Sequence, residues 1–240
     1  MKAIIFDCDG VLVDTERDGH RVAFNRAFKA LGIAAEWDVP TYAGLLLVAG
    51  GKERMRHYFD RHGWPEGRRE SHDELIAALH RTKTDLFMEI IAGGQLPLRP
   101  GIARIVDEAI AAGVRLGVCT TSNPKAIDGV LDLLGPERKA RFEFVHAGDI
   151  VHRKKPDPEI YELAKQSLRL PTAECIVIED SRNGLLAATG AGLPCLITTS
   201  TYTTGEDFSE AVDVVPELGD APNIRVTLAD LARFATKQAA

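Results

Sequence analysis

The stretch FDCDGVLVDTE, residues 6–16, sets two carboxylates, Asp7 and Asp9, directly behind the apolar run Ala3-Ile4-Ile5-Phe6. Charges beside a buried segment cost free energy unless they are paired, coordinated or solvated. Polar groups recur behind later apolar runs. Thr120-Thr121-Ser122-Asn123 follow residues 114–119, Glu179-Asp180-Ser181 follow 175–179, and Lys154-Lys155-Pro156 lie in a loop before a helical pattern. Brought to one place, these residues suit a single task. Three carboxylates would hold a hard cation such as Mg²⁺, which prefers oxygen ligands and retains waters. Hydroxyls and backbone N–H groups of residues 120–123 would hold phosphate oxygens, and a lysine would add a second fixed positive charge. A carboxylate could then attack an anionic phosphoryl group despite like-charge repulsion. A second carboxylate two residues on would protonate the leaving oxygen and later deprotonate water. Singly, each motif is as readily a turn or a cap, and a Thr-Thr-Ser-Asn run before a helix is a common N-cap pattern. Their joint occurrence at successive strand ends is what points to chemistry.

Such convergence needs a sheet. Runs 3–7, 114–119, 175–179 and 194–198 are short, apolar and bounded by turn residues, which predicts buried parallel strands. Helical patterns intervene: Ile102, Ile105, Val106, Ala109 and Ile110 behind Pro100-Gly101, then segments 158–168 and 183–191. This alternation predicts an α/β doubly wound, Rossmann-like core with a parallel sheet. The interval 15–97 has helical periodicity without strands (Phe24, Phe28, Leu31; Met55, Tyr58, Phe59; Leu75, Leu79, Leu86, Ile90). It is expected to be an inserted helical cap, with residues 1–14 and 98–240 forming the core. Breaker residues at both crossings, Asp14-Thr15 and Gly93-Gly94 with Pro97, suit a hinge, and a cap belongs over the carboxyl edge where α/β sites lie.

With 240 residues, 45% hydrophobic and 27% charged, the chain is long enough for one large core carrying a smaller unit. A net charge of −6 argues against a general nucleic-acid or membrane-surface binder. Cys8, Cys119, Cys175 and Cys195 lack CxxC spacing and sit in or beside apolar runs, as reduced core residues of a cytoplasmic protein do. No signal peptide or membrane-length apolar stretch is visible. A monomer acting on a small molecule is expected.

The 15–97 interval carries basic groups at Gly50-Gly51-Lys52-Glu53-Arg54 and at His80-Arg81-Thr82-Lys83, with His20 near the first crossing. These are either a solvated basic face, with Lys83 paired to Asp85 or a neighbouring acid, or an anion site. In the second case backbone N–H groups near Gly50-Gly51 at a helix N-terminus add to Lys52 and Arg54. An anion site would suit a substrate with a second negative group at its far end, such as a sugar bisphosphate.

The motifs FDCDGVLVDTE, LGVCTTSN, KKPDPEIY and VIEDSRNG resemble, in order, the four motifs of the haloacid dehalogenase-like hydrolases. The resemblance implies Asp7 as nucleophile and metal ligand, and Asp9 as acid/base lending its backbone carbonyl to the metal. It implies Thr120 binding the transferring phosphoryl group, Lys155 stabilising it, Asp180 completing the Mg²⁺ site and Glu179 acting through a metal-bound water. Asp9 speaks for phosphoryl transfer, because the family's dehalogenases and phosphonatases lack that second aspartate. GGKERMRHYF, HRTKTDLFMEII, LRPGIARIVDEA and AGDIVHRKKPDPEIY further resemble the CbbY-type phosphatases of carbon-fixing bacteria and plastids. Those act on xylulose 1,5-bisphosphate, an inhibitory by-product in the Calvin cycle. That likeness implies that Lys52, Arg54, His80, Lys83, Glu16 and His20 recognise the sugar or its distal phosphate. The hydroxyl-rich segment TTSTYTTGEDFSEA, residues 198–211, departs from the bacterial pattern toward the plastid one. A β-phosphoglucomutase-like mutase is the rival reading, and a non-enzymatic binding protein on the same fold a distant third.

Overall fold

The computed structural model describes residues 1–48, 51–94 and 96–236. The chain divides into two compact units, Met1–Asp14 with Leu96–Ala240, and Thr15–Gln95.

The first unit is built on a parallel sheet. Its strands are β1 (Ala3–Phe6), β2 (Arg115–Cys119), β3 (Phe142–His146), β4 (Cys175–Glu179), β5 (Cys195–Thr198) and β6 (Asp213–Val215), in the spatial order β3-β2-β1-β4-β5-β6. The strands read from apolar runs are present, and β1, β4 and β5 are buried along their whole length, as a sheet covered on both faces requires. Two strands were not anticipated. β3 (FEFVH) alternates half-buried and exposed residues at one edge, and β6 (DVV) is three residues long at the other. Neither has the continuous apolar run that marks a central strand.

Helices α5 (Ile102–Ala111), α6 (Pro124–Asp132), α7 (Pro136–Lys139), α8 (Glu159–Leu168), α9 (Arg182–Gly190) and α10 (Leu228–Ala235) complete this unit. Ile160, Tyr161, Ala164 and Leu168 of α8 pack with Leu185, Ala187 and Ala188 of α9 against Ile5, Val177 and Cys195 of the sheet. All four cysteines are buried free thiols. The order reverses beside β1, since β2 and β3 lie on one side and β4 on the other. In open α/β sheets that crevice, outside the carboxyl ends, is where ligands bind.

The second unit begins with a π-helical turn (Thr15–His20) and continues through α1 (Arg21–Ala30), α2 (Val39–Leu45), α3 (Gly51–His62) and α4 (His72–Ala92). Its core is aromatic. Trp37 is fully buried, with its ring 4.7 Å from Phe24 and 5.0 Å from Phe28. Ser71 and Glu74 form a capping box that starts α4, satisfying backbone N–H groups the helix cannot use. Among the described residues no helix is long and apolar enough to cross a membrane.

Candidate active site

Pairing register brings the acids together. Phe6 is level with Val118 on one side and Ile178 on the other, so the residues that follow emerge side by side. The Asp7 N–H donates to Ile178 O at 2.9 Å. Glu179 is the last residue of β4, wholly buried, and Asp180 follows it. Carboxylate oxygens of Asp7, Glu179 and Asp180 lie within 4.8 Å of one another. Two glycines permit this crowding. A Cβ on Gly10, whose φ is +82°, would fall 2.0 Å from Asp180 Oδ2, and one on Gly184 would fall 2.0 Å from Glu179 Oε2.

Lys155 supplies the counter-charge. Its Nζ donates to Asp7 Oδ1 at 2.6 Å, Glu179 Oε1 at 2.5 Å and Cys119 O at 3.0 Å, which uses all three ammonium protons. Tyr161 adds a hydroxyl donor to Glu179 Oε1 at 2.6 Å. Burial favours a neutral lysine, yet Asp7 and Glu179 outweigh it and hold the Lys155 ammonium well above its ordinary range. One ammonium does not balance three acids. Burial first, opposed by Lys155 and reinforced by Glu179, Asp9 and Asp180, pushes Asp7 well above the usual carboxylate range. Burial and then the Glu179 charge push Asp180 up to about 8. A crowded set of buried carboxyl oxygens fits a hard divalent cation such as Mg²⁺.

The Asp9 carboxylate accepts a hydrogen bond from Ser122 Oγ. Thr120 is buried, with its N–H on His146 O at 2.9 Å and its Oγ1 accepting from Ser122 N at 3.2 Å. Thr121 is exposed at the same turn. The Asn123 side chain accepts from Lys125 N at 2.9 Å as the N-cap of α6, so the structure gives it the plain capping role. Sequence reading missed Tyr161. It stands six residues beyond Lys155, in the quoted KKPDPEIY, but only the fold turns it onto an acid.

The second unit holds its own polar group. Lys83 Nζ contacts His20 Nδ1 at 2.9 Å and lies 4.9 Å from the Phe24 ring centroid and 5.1 Å from that of Phe87. Lys83 therefore meets His20 and two rings. The His20 and Phe87 rings lie 3.9 Å apart. His80 sits beside Gly51, and burial, Lys52 and Lys83 together lower its pKa. Lys52 is exposed. Arg54 is not offered to solvent. It is 9% exposed, with Nε donating to Leu45 O at 3.1 Å and Nη1 to Tyr42 Oη at 2.9 Å. Tyr42 in turn donates to Glu16 Oε2 at 2.6 Å. Gly50 lies outside the described residues.

Residues 1–192 match the haloacid dehalogenase-like hydrolase family profile. A CBBY-like protein of Arabidopsis thaliana is 49% identical over 98% of this chain and 75% of its own length. The plasmid CbbY protein of Cupriavidus necator is 43% identical, over 92% of this chain and 87% of its own. A crystal structure of a mutant CbbY from Rhodobacter sphaeroides in complex with xylulose-(1,5)bisphosphate superimposes with a TM-score of 0.75, at 39% identity, over 96% of this chain and 99% of that one. The chain belongs to the haloacid dehalogenase-like hydrolases, in their CbbY-type branch, and is a phosphatase.

Proposed function

We propose that this phosphatase is Mg²⁺-dependent and removes a phosphate from a small phosphosugar, xylulose 1,5-bisphosphate above others, through an aspartyl-phosphate on Asp7. The observation that carries the reading is the buried trio Asp7, Glu179 and Asp180, with Lys155 paired to Asp7 and Glu179. Asp7, Asp180 and the Asp9 backbone carbonyl would hold the Mg²⁺, with Glu179 behind them. The cation would supply the positive charge that lets an anionic phosphoryl group approach a carboxylate.

The remaining steps belong to the chain's own groups. Lys155 orients Asp7 through Oδ1 and leaves its second oxygen as the nucleophile. Thr120, whose Oγ1 is held by the Ser122 N–H, and the Thr121 N–H receive phosphoryl oxygens. Asp9, held by Ser122, gives its proton to the departing sugar oxygen and then takes one from the water that cleaves the acyl phosphate.

The unit Thr15–Gln95 serves, on this reading, as the substrate-recognising cap. Lys83 and His20 are its anion and hydroxyl partners, Lys52, His80 and the Gly51 backbone add to the anion site, and Arg54 holds Glu16 in place through Tyr42. The likeness to a protein crystallised with xylulose-(1,5)bisphosphate supports the five-carbon bisphosphate. The four free thiols suit a reducing, cytoplasmic setting, and we take the active species to be a monomer without nucleic-acid or membrane partners.

Phosphate release from a panel of sugar mono- and bisphosphates tests this, with glucose 1-phosphate isomerisation measured in parallel. Magnesium-dependent release favouring xylulose 1,5-bisphosphate is expected. Isomerisation outrunning release would replace the phosphatase reading with the mutase one.

A further inference from the structure

Arg99 lies in the segment that returns from the Thr15–Gln95 unit, and no role proposed above uses it. Its half-buried guanidinium donates to four backbone carbonyls from three stretches of chain. Nη1 reaches Gly10 O, and Thr198 O at 3.1 Å. Nη2 reaches Thr199 O at 2.7 Å and Pro216 O at 2.6 Å. The Arg99 backbone N–H donates to Leu12 O at 2.9 Å, and Leu98 bridges to Val13. The loop behind Asp7 is therefore tied along its length to one short segment, and its Gly10 carbonyl is tied to the exit of β5.

Gly10 is a sensitive point for such a tie. It follows Asp9 directly, and it packs so closely on Asp180 that a Cβ would not fit. The exit of β5, part of the hydroxyl-rich stretch that departs from the bacterial pattern, is itself braced. Thr201 donates to Asp14 Oδ2 through N at 3.3 Å and Oγ1 at 2.5 Å, and Ser200 N donates to Thr203 Oγ1 at 2.9 Å. A planar fork of fixed donors can join several carbonyls at once, whereas an ammonium on a flexible stem cannot reproduce that geometry.

We propose that Arg99 is a positioning residue for Asp9, its guanidinium clamping the Gly10 carbonyl to the end of β5 and so setting how the Asp9 carboxyl meets the leaving oxygen. The inference rests on the acid role given to Asp9 in the proposed function. A misplacement of about 1 Å at a proton-transfer group costs on the order of 10²-fold in rate. The loss should appear only where the leaving oxygen needs a proton.

Arg99→Lys and Arg99→Met are compared with Asp9→Asn on a sugar phosphate and on p-nitrophenyl phosphate, whose leaving group departs unprotonated. Melting temperature and magnesium affinity are read alongside. Both Arg99 variants, at saturating magnesium because the Arg99 charge also acts on Asp180, should lose roughly 10- to 100-fold in kcat on the sugar phosphate and less than about 3-fold on the aryl ester, with KM near wild type. Equal losses on both substrates would overturn the proposal and leave Arg99 a structural brace. Full rescue by Arg99→Lys would also overturn it, because charge alone would then suffice. If Arg99→Met fails to fold, the lysine variant decides. If Asp9→Asn itself does not discriminate between the substrates, the acid assignment fails and this inference with it. If Asp9→Asn discriminates and the Arg99 variants do not, this inference alone fails.

Discussion

The two units bury charge in opposite ways. At the carboxyl ends of the strands three carboxyl groups crowd together, with one ammonium paired to Asp7 and Glu179. In the helical unit the Lys83 ammonium rests against two phenyl faces and an imidazole nitrogen. Ring faces hold a cation by their quadrupole. The difference teaches that clustered acids call for a hard cation, whereas aromatic faces can carry an ammonium in a packed interior.

The sharpest way to break the comparison is to remove the cation from the helical unit. Lys83→Met keeps the stem among Phe24 and Phe87 and deletes the charge. KM for a sugar bisphosphate should rise roughly 10- to 100-fold with a smaller change in kcat, as loss of ground-state and transition-state binding together predicts. Hydrolysis of an aryl phosphate with no second anion should stay within about 2-fold. Equal effects on both substrates, measured by steady-state kinetics, would show that Lys83 supports the fold and not the guest.

A smaller effect sharpens the other side. Asp180 is pushed up to about 8 from an ordinary 3.8 by burial and then Glu179, so the folded chain binds a proton there that the unfolded chain releases. The stabilisation is complete below the unfolded value and is lost as pH rises through the folded one. The melting temperature of metal-stripped protein should therefore fall by a few degrees between about pH 5 and pH 8. Added magnesium should raise it more at the upper end, where protons no longer compete for the carboxylates. A metal-stripped protein that grows more stable across that range would contradict the crowded-acid picture.

What the sequence displays depends on how locally each feature is encoded. β1, β4 and β5 are legible because a strand buried on both faces is an unbroken apolar run. Asp7 and Asp180 are legible because they stand at the ends of such runs. β3 shows alternating exposure at an edge and β6 has three residues, so neither run is distinctive. Contacts across the fold were out of reach. Tyr161 meets Glu179 across 18 residues, Lys83 meets His20 across 63, and Arg99 meets Gly10 across 89. Arg54 shows a further limit. Its basic neighbours mark a charged helix face, but only packing reveals that its guanidinium is spent on Leu45 and Tyr42.

The central claim is that Asp7 and Asp180 share a divalent cation, and calorimetric titration of magnesium into wild-type, Asp7→Asn and Asp180→Asn protein near neutral pH tests it most directly. One ion per wild-type chain, with affinity weakened about 10-fold or more by either substitution, is the predicted result. Wild-type protein that takes up no magnesium, or both variants binding it as tightly as wild type, would contradict the account.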